Sequence, residues 1–261
     1  MKNFFKILLI GLITTIFRIV IQLLMPSSTQ TVLSPSQFVK DGTLPLAFSA
    51  LAIVAYSVIA AMFLLVKSGI SGTSMKQGLK YAVSLSFLWS VYLFEPLPHS
   101  ISILKDSIAY VLTDSISLIL MGLLLGVFFK SEEKIHGDRI NNQTLLLLFV
   151  PTILFVLGRL IQYKVLGIYS SFDGEPLKTI LWCITVGVVS SLVVSWLVKQ
   201  GGSVSKGLFI YAMNLFFFNS FMLLVFDFSV VDLTLRTGID IVAISIGIIV
   251  ISRNKNFIEM R

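Results

Sequence analysis

The sequence is poor in the residues from which metalloproteins and many enzymes build their sites. Its 261 residues include one cysteine, Cys183, and two histidines, His99 and His136, in different predicted loops. A single cysteine excludes an internal disulfide and a cysteine-based metal site, and two separated histidines argue against haem or zinc ligation. P-loop, HExxH and GxSxG motifs are also missing. We therefore expect no cofactor, and the sequence indicates no catalytic residue and no metal ligand.

Charged residues are scarce as well. They make up 13% of the chain, whereas 56% of it is hydrophobic and the mean hydropathy is +0.94. Soluble domains have about 25% charged residues, so this composition predicts an integral membrane protein. The alternating pattern of a membrane β-barrel is absent, which leaves a bundle of membrane-spanning helices.

Eight apolar segments are long enough to cross a bilayer, which takes roughly 20 residues per helix. They are residues 4–25, 44–66, 77–95, 105–129, 142–163, 177–198, 206–227 and 231–252. With the N-terminus inside, 13 of the 20 Lys and Arg residues fall in cytoplasmic segments and 4 in outer segments. This bias predicts an integral plasma (inner) membrane protein with both termini in the cytoplasm. The net charge of +7 is then a topology signal, and we expect no nucleic acid as partner.

A pair of aspartates recurs along the chain. Asp106 and Asp114 lie in the fourth predicted span, and Asp232 and Asp240 lie in the eighth, 126 residues later in each case. The spacing within the pair is the same in both spans, which suggests that one half of the chain duplicates the other.

Other short motifs recur in the same order and support this duplication. FVKDGTLPL (38–46) matches FDGEPL (172–177), and LVKSG (65–69) matches LVKQG (197–201). We therefore predict two four-helix repeats, residues 1–139 and 140–261. Because each repeat has an even number of spans, both insert the same way up and are related by a pseudo-two-fold axis along the membrane normal.

Ionisable residues inside the predicted spans are the candidate site, because a charge in hydrocarbon is costly unless it is paired or faces water. The helical rise places these groups in the outer half of the bilayer. Arg18 is the natural partner of Asp114, and Arg159 or Arg236 that of Asp240. Arg236 also lies four residues from both Asp232 and Asp240, within helical reach of each. The corresponding position between Asp106 and Asp114 is Tyr110, so the halves are predicted to form one asymmetric site.

The candidates fall into three groups. Those expected to bind a ligand or a proton are Asp114, Asp240, Arg18, Arg159 and Arg236. Those expected at the rim of the site are Glu95, Asp227, Asp106 and Asp232. Those expected to line a pocket are Asn214, Asn219 and Tyr110. The six acids outnumber the three arginines, which favours a cation or a proton over an anion as ligand.

Three functions fit these features. The first is a transporter or permease for a small solute or ion, whose partners are the lipid bilayer and a small cationic solute or a proton. The second is a non-transporting scaffold, assembly partner, immunity or sensor protein, in which the Arg–Asp pairs are structural. The third is an intramembrane enzyme acting on a lipid, for which no nucleophile or histidine base lies in a span. The sequence leaves open whether a protein partner or a homo-oligomer exists.

Overall fold

The part of the chain that the structure describes is all-helical. The computed structural model describes residues 2–26, 33–96, 101–130 and 144–253, and of 101–103 and 144–147 it gives the backbone alone. His99, His136 and the predicted boundary between residues 139 and 140 lie outside the described residues. Within them there are nine helices and no strand: α1 (Lys2–Leu24), α2 (Gln37–Lys40), α3 (Leu44–Val66), α4 (Ser74–Leu93), α5 (Ile101–Phe128), α6 (Thr144–Lys164), α7 (Pro176–Gly201), α8 (Val204–Val225) and α9 (Val230–Ser252).

Six of these helices are long and apolar enough to cross a membrane: α1, α3, α5, α7, α8 and α9. The chain is therefore a polytopic helical membrane protein. Each of the eight segments predicted from the sequence coincides with one of the long helices. α4 is not among the six, because Lys76, Lys80 and several serines make it more polar than the others. That all eight segments cross the membrane stays a prediction, as does their orientation.

The long helices pack in two groups whose contacts correspond in part; the close packing of α7 against α8 has no equal in α3 and α4 of the first group. In the first group α1 packs against α3 and α5, and α5 packs against α4. In the second, α6 packs against α7 and α9, and α9 packs against α8. Among the described long helices, the groups are joined mainly by the contacts of α3 with α8 and of α4 with α7, and α3 also touches α7. The centre of the bundle is aromatic, with the Trp89 ring 5.7 Å from Phe218 and 6.2 Å from Phe221.

Small residues allow the helices within each group to approach closely. A methyl group built on Gly122 of α5 would lie 2.6 Å from the Cβ of Ala82 and 2.7 Å from the carbonyl oxygen of Gly78, both on α4. In the second group, Gly247 of α9 faces Pro151 of α6 in the same tight manner. Since lipid tails are as apolar as the side chains, such van der Waals contact is what holds membrane helices together.

The loop before α2 is fixed to the connection between α8 and α9. The amide of Ser36 donates to the carbonyl of Val225 at 3.0 Å, and the amide of Asp227 donates to the carbonyl of Ser34 at 2.9 Å. The Ser36 hydroxyl caps α2 by accepting from the Val39 amide. We call this side of the bundle, where α4, α6 and α8 end and α5, α7 and α9 begin, the charged end.

We expect Gly122→Ala to destabilise the protein by about 1–3 kcal/mol, because the added methyl overpacks the α4–α5 contact. Gly238→Ala is the matched control, since Gly238 is also helical but nothing lies within 4 Å of an added methyl. Replacing such an unconstrained helical glycine is worth about 0.5–1 kcal/mol in the stabilising direction. Thermal unfolding of the two variants in detergent measures the difference, and equal melting temperatures would contradict the close packing.

Candidate functional site

The first buried ion pair joins α1 to α5. Arg18 donates from Nε to Oδ1 of Asp114 at 2.9 Å, and both side chains are largely buried. The guanidinium also lies over the ring of Phe48 on α3, 4.3 Å from its centroid. The partner of Asp114 is thus the arginine expected from the sequence, and three helices of the first group meet at this pair.

The second buried ion pair joins α6 to α9 and is more elaborate. Arg159 donates from Nη2 to Oδ2 of Asp240 at 2.6 Å, and each side chain is 1% exposed. The other carboxylate oxygen of Asp240 accepts from Nε2 of Gln162 at 2.9 Å. The Arg159 guanidinium lies 4.8 Å from the centroid of the Trp182 ring. Asp240 is therefore fully occupied by groups on α6.

Glu95, just beyond the end of α4, connects this pair to Arg236. Its Oε1 accepts from Arg159 Nη1 at 3.3 Å, and its Oε2 accepts from Arg236 Nη1 at 2.8 Å. Arg236 also donates from Nη2 to the carbonyl of Tyr169 at 2.7 Å. Of the two arginines that the sequence offered to Asp240, Arg159 is therefore the one that pairs with it, and Arg236 pairs instead with the partly buried carboxylate of Glu95.

The buried charges therefore balance in the described residues. Three guanidiniums face three carboxylates, those of Asp114, Asp240 and Glu95. Two of the remaining acids are exposed: Asp232 lies in the first turn of α9, and the Asp227 side chain is 62% exposed and 3.7 Å from Lys40. The excess of acids counted in the sequence is therefore not gathered at the buried pairs.

Two adjoining cavities open at the charged end, beside these pairs. The larger has a volume of about 100 Å³. It is lined by Leu33, Tyr92, Leu93, Glu95, Asp106, Ser107, Tyr110, Arg159, Phe218, Asn219, Met222, Phe226, Phe228, Leu233 and Arg236. The smaller, of about 30 Å³, has Arg18 and Asp114 in its wall. Tyr110, Phe218 and Met222 are among the residues common to both walls, so little more than these side chains separates the two cavities.

The three pocket-lining candidates differ in where they lie. Tyr110 lines both cavities. Asn219 lines the larger cavity and donates to Oγ1 of Thr237 at 2.7 Å, which ties α8 to α9. Asn214 is fully buried, donates to the carbonyl of Ile210 in its own helix and lines neither cavity.

Some residues of the site were missed in the sequence. The aromatic wall of the larger cavity, for example Phe218, Phe226 and Phe228, gives no signal, because other phenylalanines of this chain, such as Phe87 and Phe216, lie exposed on the outside of the bundle. Gln162 could have been found, since it lies three residues after Arg159 and hence on the same face of α6. Asp240, in contrast, does not line either cavity; Arg159 stands between it and the larger one.

We expect Arg159→Met to destabilise the protein by about 3–5 kcal/mol, because it leaves Asp240 as an uncompensated buried charge. The double variant Arg159→Met/Asp240→Asn should recover much of that loss, since no charge is then left without its partner. Thermal unfolding in detergent is the measurement.

The control for this prediction is Lys178→Met. It breaks the exposed pair with Glu175, in which the two side chains are 69% and 41% exposed. Such surface pairs contribute about 0–1 kcal/mol, so the melting temperature should hardly change. An Arg159→Met variant as stable as this control would contradict the assignment of a buried, mutually dependent pair.

Comparison with known proteins gives this chain no relative. No family model matches it, and no match is found among characterised proteins or among solved structures. The function proposed below is therefore based on the geometry of the charged end alone.

Proposed function

We propose that this protein is a transporter or permease for a small solute or ion, with coupling to a cation or a proton. In this proposal the chain lies in the plasma (inner) membrane and crosses it eight times, in two parallel repeats of residues 1–139 and 140–261. Both termini are in the cytoplasm. The charged end then faces outward. The solute enters the larger cavity, between the two repeats.

The two ion pairs support the duplication. Arg18 on the first helix of one half pairs with Asp114 on the last, and Arg159 on the first helix of the other half pairs with Asp240 on the last. Both aspartates are the second member of the recurring pair. The two main contacts between the groups agree with this duplication, because exchanging the groups turns the contact of α3 with α8 into that of α7 with α4.

The observation that carries the proposal is the larger cavity and its charged wall. Helices from both groups contribute ionisable groups to it: Glu95 and Asp106 from the first, Arg159 and Arg236 from the second. Parallel repeats in transporters commonly place the substrate site at the interface between them. Charged groups at membrane depth are costly, and those that face a cavity between helices are typically part of a solute or ion path.

The residues around the cavity take different roles in this proposal. Glu95 and Asp106 are the carboxylates that a cation or a proton would meet. Asp240 and Gln162 position Arg159 and do not themselves touch the solute. Asp114 lines the smaller cavity, and Tyr110 lies between that cavity and the larger one. The exposed Asp227 and Asp232 lie at the outer rim.

The loop before α2 forms part of the wall at the outer end of this path. Leu33 from the loop, together with Phe226 and Phe228 from the α8–α9 connection, lines the larger cavity. The backbone hydrogen bonds of Ser36 with Val225 and of Asp227 with Ser34 hold these segments together. The loop and the α8–α9 connection therefore form one continuous part of the cavity wall at the charged end.

The balanced charges also suit the second function, a membrane scaffold, assembly partner, immunity or sensor protein. In that case the three guanidiniums only join helices, and no solute reaches the cavity. Whether water-borne molecules enter the cavity therefore distinguishes the two functions.

We expect Ser107→Cys, in a Cys183→Ser background, to react rapidly with a membrane-impermeant thiol reagent added to whole cells. Ser107 is buried but lines the larger cavity. Ser117→Cys is the matched control: it lies on the same helix, is fully buried against the Thr113 carbonyl and lines neither cavity. Labelling is compared with and without prior permeabilisation of the cells.

The outcomes separate the functions and the orientation. Labelling of Ser107→Cys without permeabilisation, with Ser117→Cys unreactive, supports an outward-facing solute path. Labelling only after permeabilisation would keep the path but reverse the predicted orientation. No labelling of Ser107→Cys in either case, in a folded protein, would overturn the transporter proposal in favour of the scaffold.

A further inference from the structure

The end of the bundle opposite the charged end is uniformly positive in the described part of the chain. α1, α4 and α8 begin there, and α3, α5, α7 and α9 end there. Every charged residue that the structure describes at this end is a lysine or an arginine, whereas the described Asp and Glu residues all lie toward the charged end. We call this side of the bundle the basic end.

Two lysines of the basic end come together where α1, α3 and α5 meet. Lys6, near the start of α1, donates from Nζ to the carbonyl of Phe128 at 3.0 Å. The same Nζ lies 5.7 Å from the centroid of the Phe129 ring. The Nζ of Lys67, which follows α3, lies 5.9 Å from that centroid. Phe129 is buried and both lysines are half-buried. We call Lys6, Lys67 and Phe129 the two-lysine site.

Neither ammonium group of this site has a counter-charge within the described ranges. None of the salt bridges there includes Lys6 or Lys67. Their contacts are a neutral carbonyl and the face of a ring, which attract a cation but leave its charge uncompensated. An ammonium group has three donors, of which Lys6 uses one for the Phe128 carbonyl. The site is therefore able to accept an anion such as a phosphate.

An exposed apolar stripe leads away from Lys6 along α1. Leu9, Ile16 and Val20 follow Lys6 at helical spacing and are 42%, 54% and 47% exposed. At about 1.5 Å per residue, the stripe from Lys6 to Val20 is roughly 20 Å long. One leaflet contributes roughly 15 Å to the hydrocarbon core of a bilayer, so the stripe is long enough for an acyl chain. A phosphate held at the lysines would place a chain attached to it against this stripe.

The second half of the sequence does not repeat the pair of lysines. Lys199 has the place of Lys67 in the recurring LVKSG and LVKQG motifs. Lys6 lies 12 residues before Arg18, and the residue 12 positions before Arg159 is the uncharged Leu147. The first half thus has two lysines where the second half has one, which makes Lys199 a natural control for the two-lysine site.

We propose that the two-lysine site binds an anionic phospholipid, whose phosphate contacts Lys6 and Lys67 and whose acyl chain packs along the exposed stripe of α1. Basic pockets between membrane helices are typical binding sites for anionic lipid headgroups. This site lies at the opposite end of the bundle from the larger cavity, and the inference does not depend on whether that cavity transports a solute.

The test uses the full chain, purified in detergent, and measures the affinity of three probes by native mass spectrometry. Phosphatidylglycerol is the anionic lipid, phosphatidylcholine has the same acyl chains but no net charge, and sn-glycerol 3-phosphate has the phosphate but no chain. We expect phosphatidylglycerol to bind at least tenfold more tightly than either of the others. Equal binding of phosphatidylcholine would overturn the role of the lysines, and equal binding of glycerol 3-phosphate would replace the lipid by a soluble phosphate.

Two charge-matched double variants test the position of the site. Lys6→Gln/Lys67→Gln should weaken the binding of phosphatidylglycerol at least tenfold, because both ammonium groups are lost. Lys199→Gln/Lys206→Gln removes the same charge from the basic end, at two exposed lysines outside the site, and should change the affinity less than twofold. Equal losses in the two variants would overturn the site in favour of a general attraction between the basic end and anionic lipids.

The single variant Lys67→Gln keeps the test decisive if the double variant folds poorly. The Lys67 side chain donates no hydrogen bond to the described residues, so its replacement leaves the contact of Lys6 with Phe128 in place. We expect at least a threefold loss of affinity for phosphatidylglycerol. An unchanged affinity in this folded variant would overturn the proposal, and the accessibility of the larger cavity, measured by labelling of Ser107→Cys, would be unaffected by that result.

Discussion

The burial of Arg159 is the constraint on which the arrangement of the charged end depends. A guanidinium that is 1% exposed must be neutralised where it lies, since burying an unpaired ion costs several kcal/mol. Asp240 comes from α9, Glu95 follows α4, and the Trp182 ring from α7 covers the guanidinium. One side chain on α6 therefore fixes the relative positions of three other helices, two of them in its own group and one in the other. At this end the ion pair of Arg159 with Glu95 thus joins the two groups, together with the backbone hydrogen bonds of Ser36 and Asp227.

The two cavities at the charged end lie where the packing between the helices changes. Farther along α5 from its start, Gly122 and Gly126 bring its backbone against α4, and Gly247 does the same between α9 and α6. At the charged end arginines and aromatic residues, which are much larger than glycine, line the space between the helices. Large side chains that must also satisfy ion-pair geometry cannot fill the space between them completely. The cavities thus follow from a change in side-chain size along the helices.

The sequence could predict the helices and one ion pair, but not the lateral neighbours. Hydropathy gave residues 44–66 as a helix, and α3 has those bounds. The pairing of Arg18 with Asp114 could be inferred because both lie at similar depth and no other base was near. The contact of Arg236 with Glu95 could not be predicted, because it depends on which helices are neighbours in the bundle. The depth of a residue in the membrane does not determine which helices are neighbours. For the same reason Asp240 was expected to face a solute path, whereas Arg159 and Gln162 cover it.

One position accounts for much of the difference between the two ion-pair clusters. Midway between the paired aspartates lies Tyr110 on α5 and Arg236 on α9. Tyr110 brings no charge, so Asp114 keeps a single partner, and its ring instead forms part of both cavity walls. Arg236 adds a charge, which requires Glu95 as a second carboxylate and extends the buried network to the edge of the larger cavity. If the two halves arose by the proposed duplication, the difference between Tyr110 and Arg236 at this one position is sufficient to give the two equivalent Arg–Asp pairs unequal surroundings. It also places the extra guanidinium in the wall of the larger cavity, on the side contributed by the second group of helices.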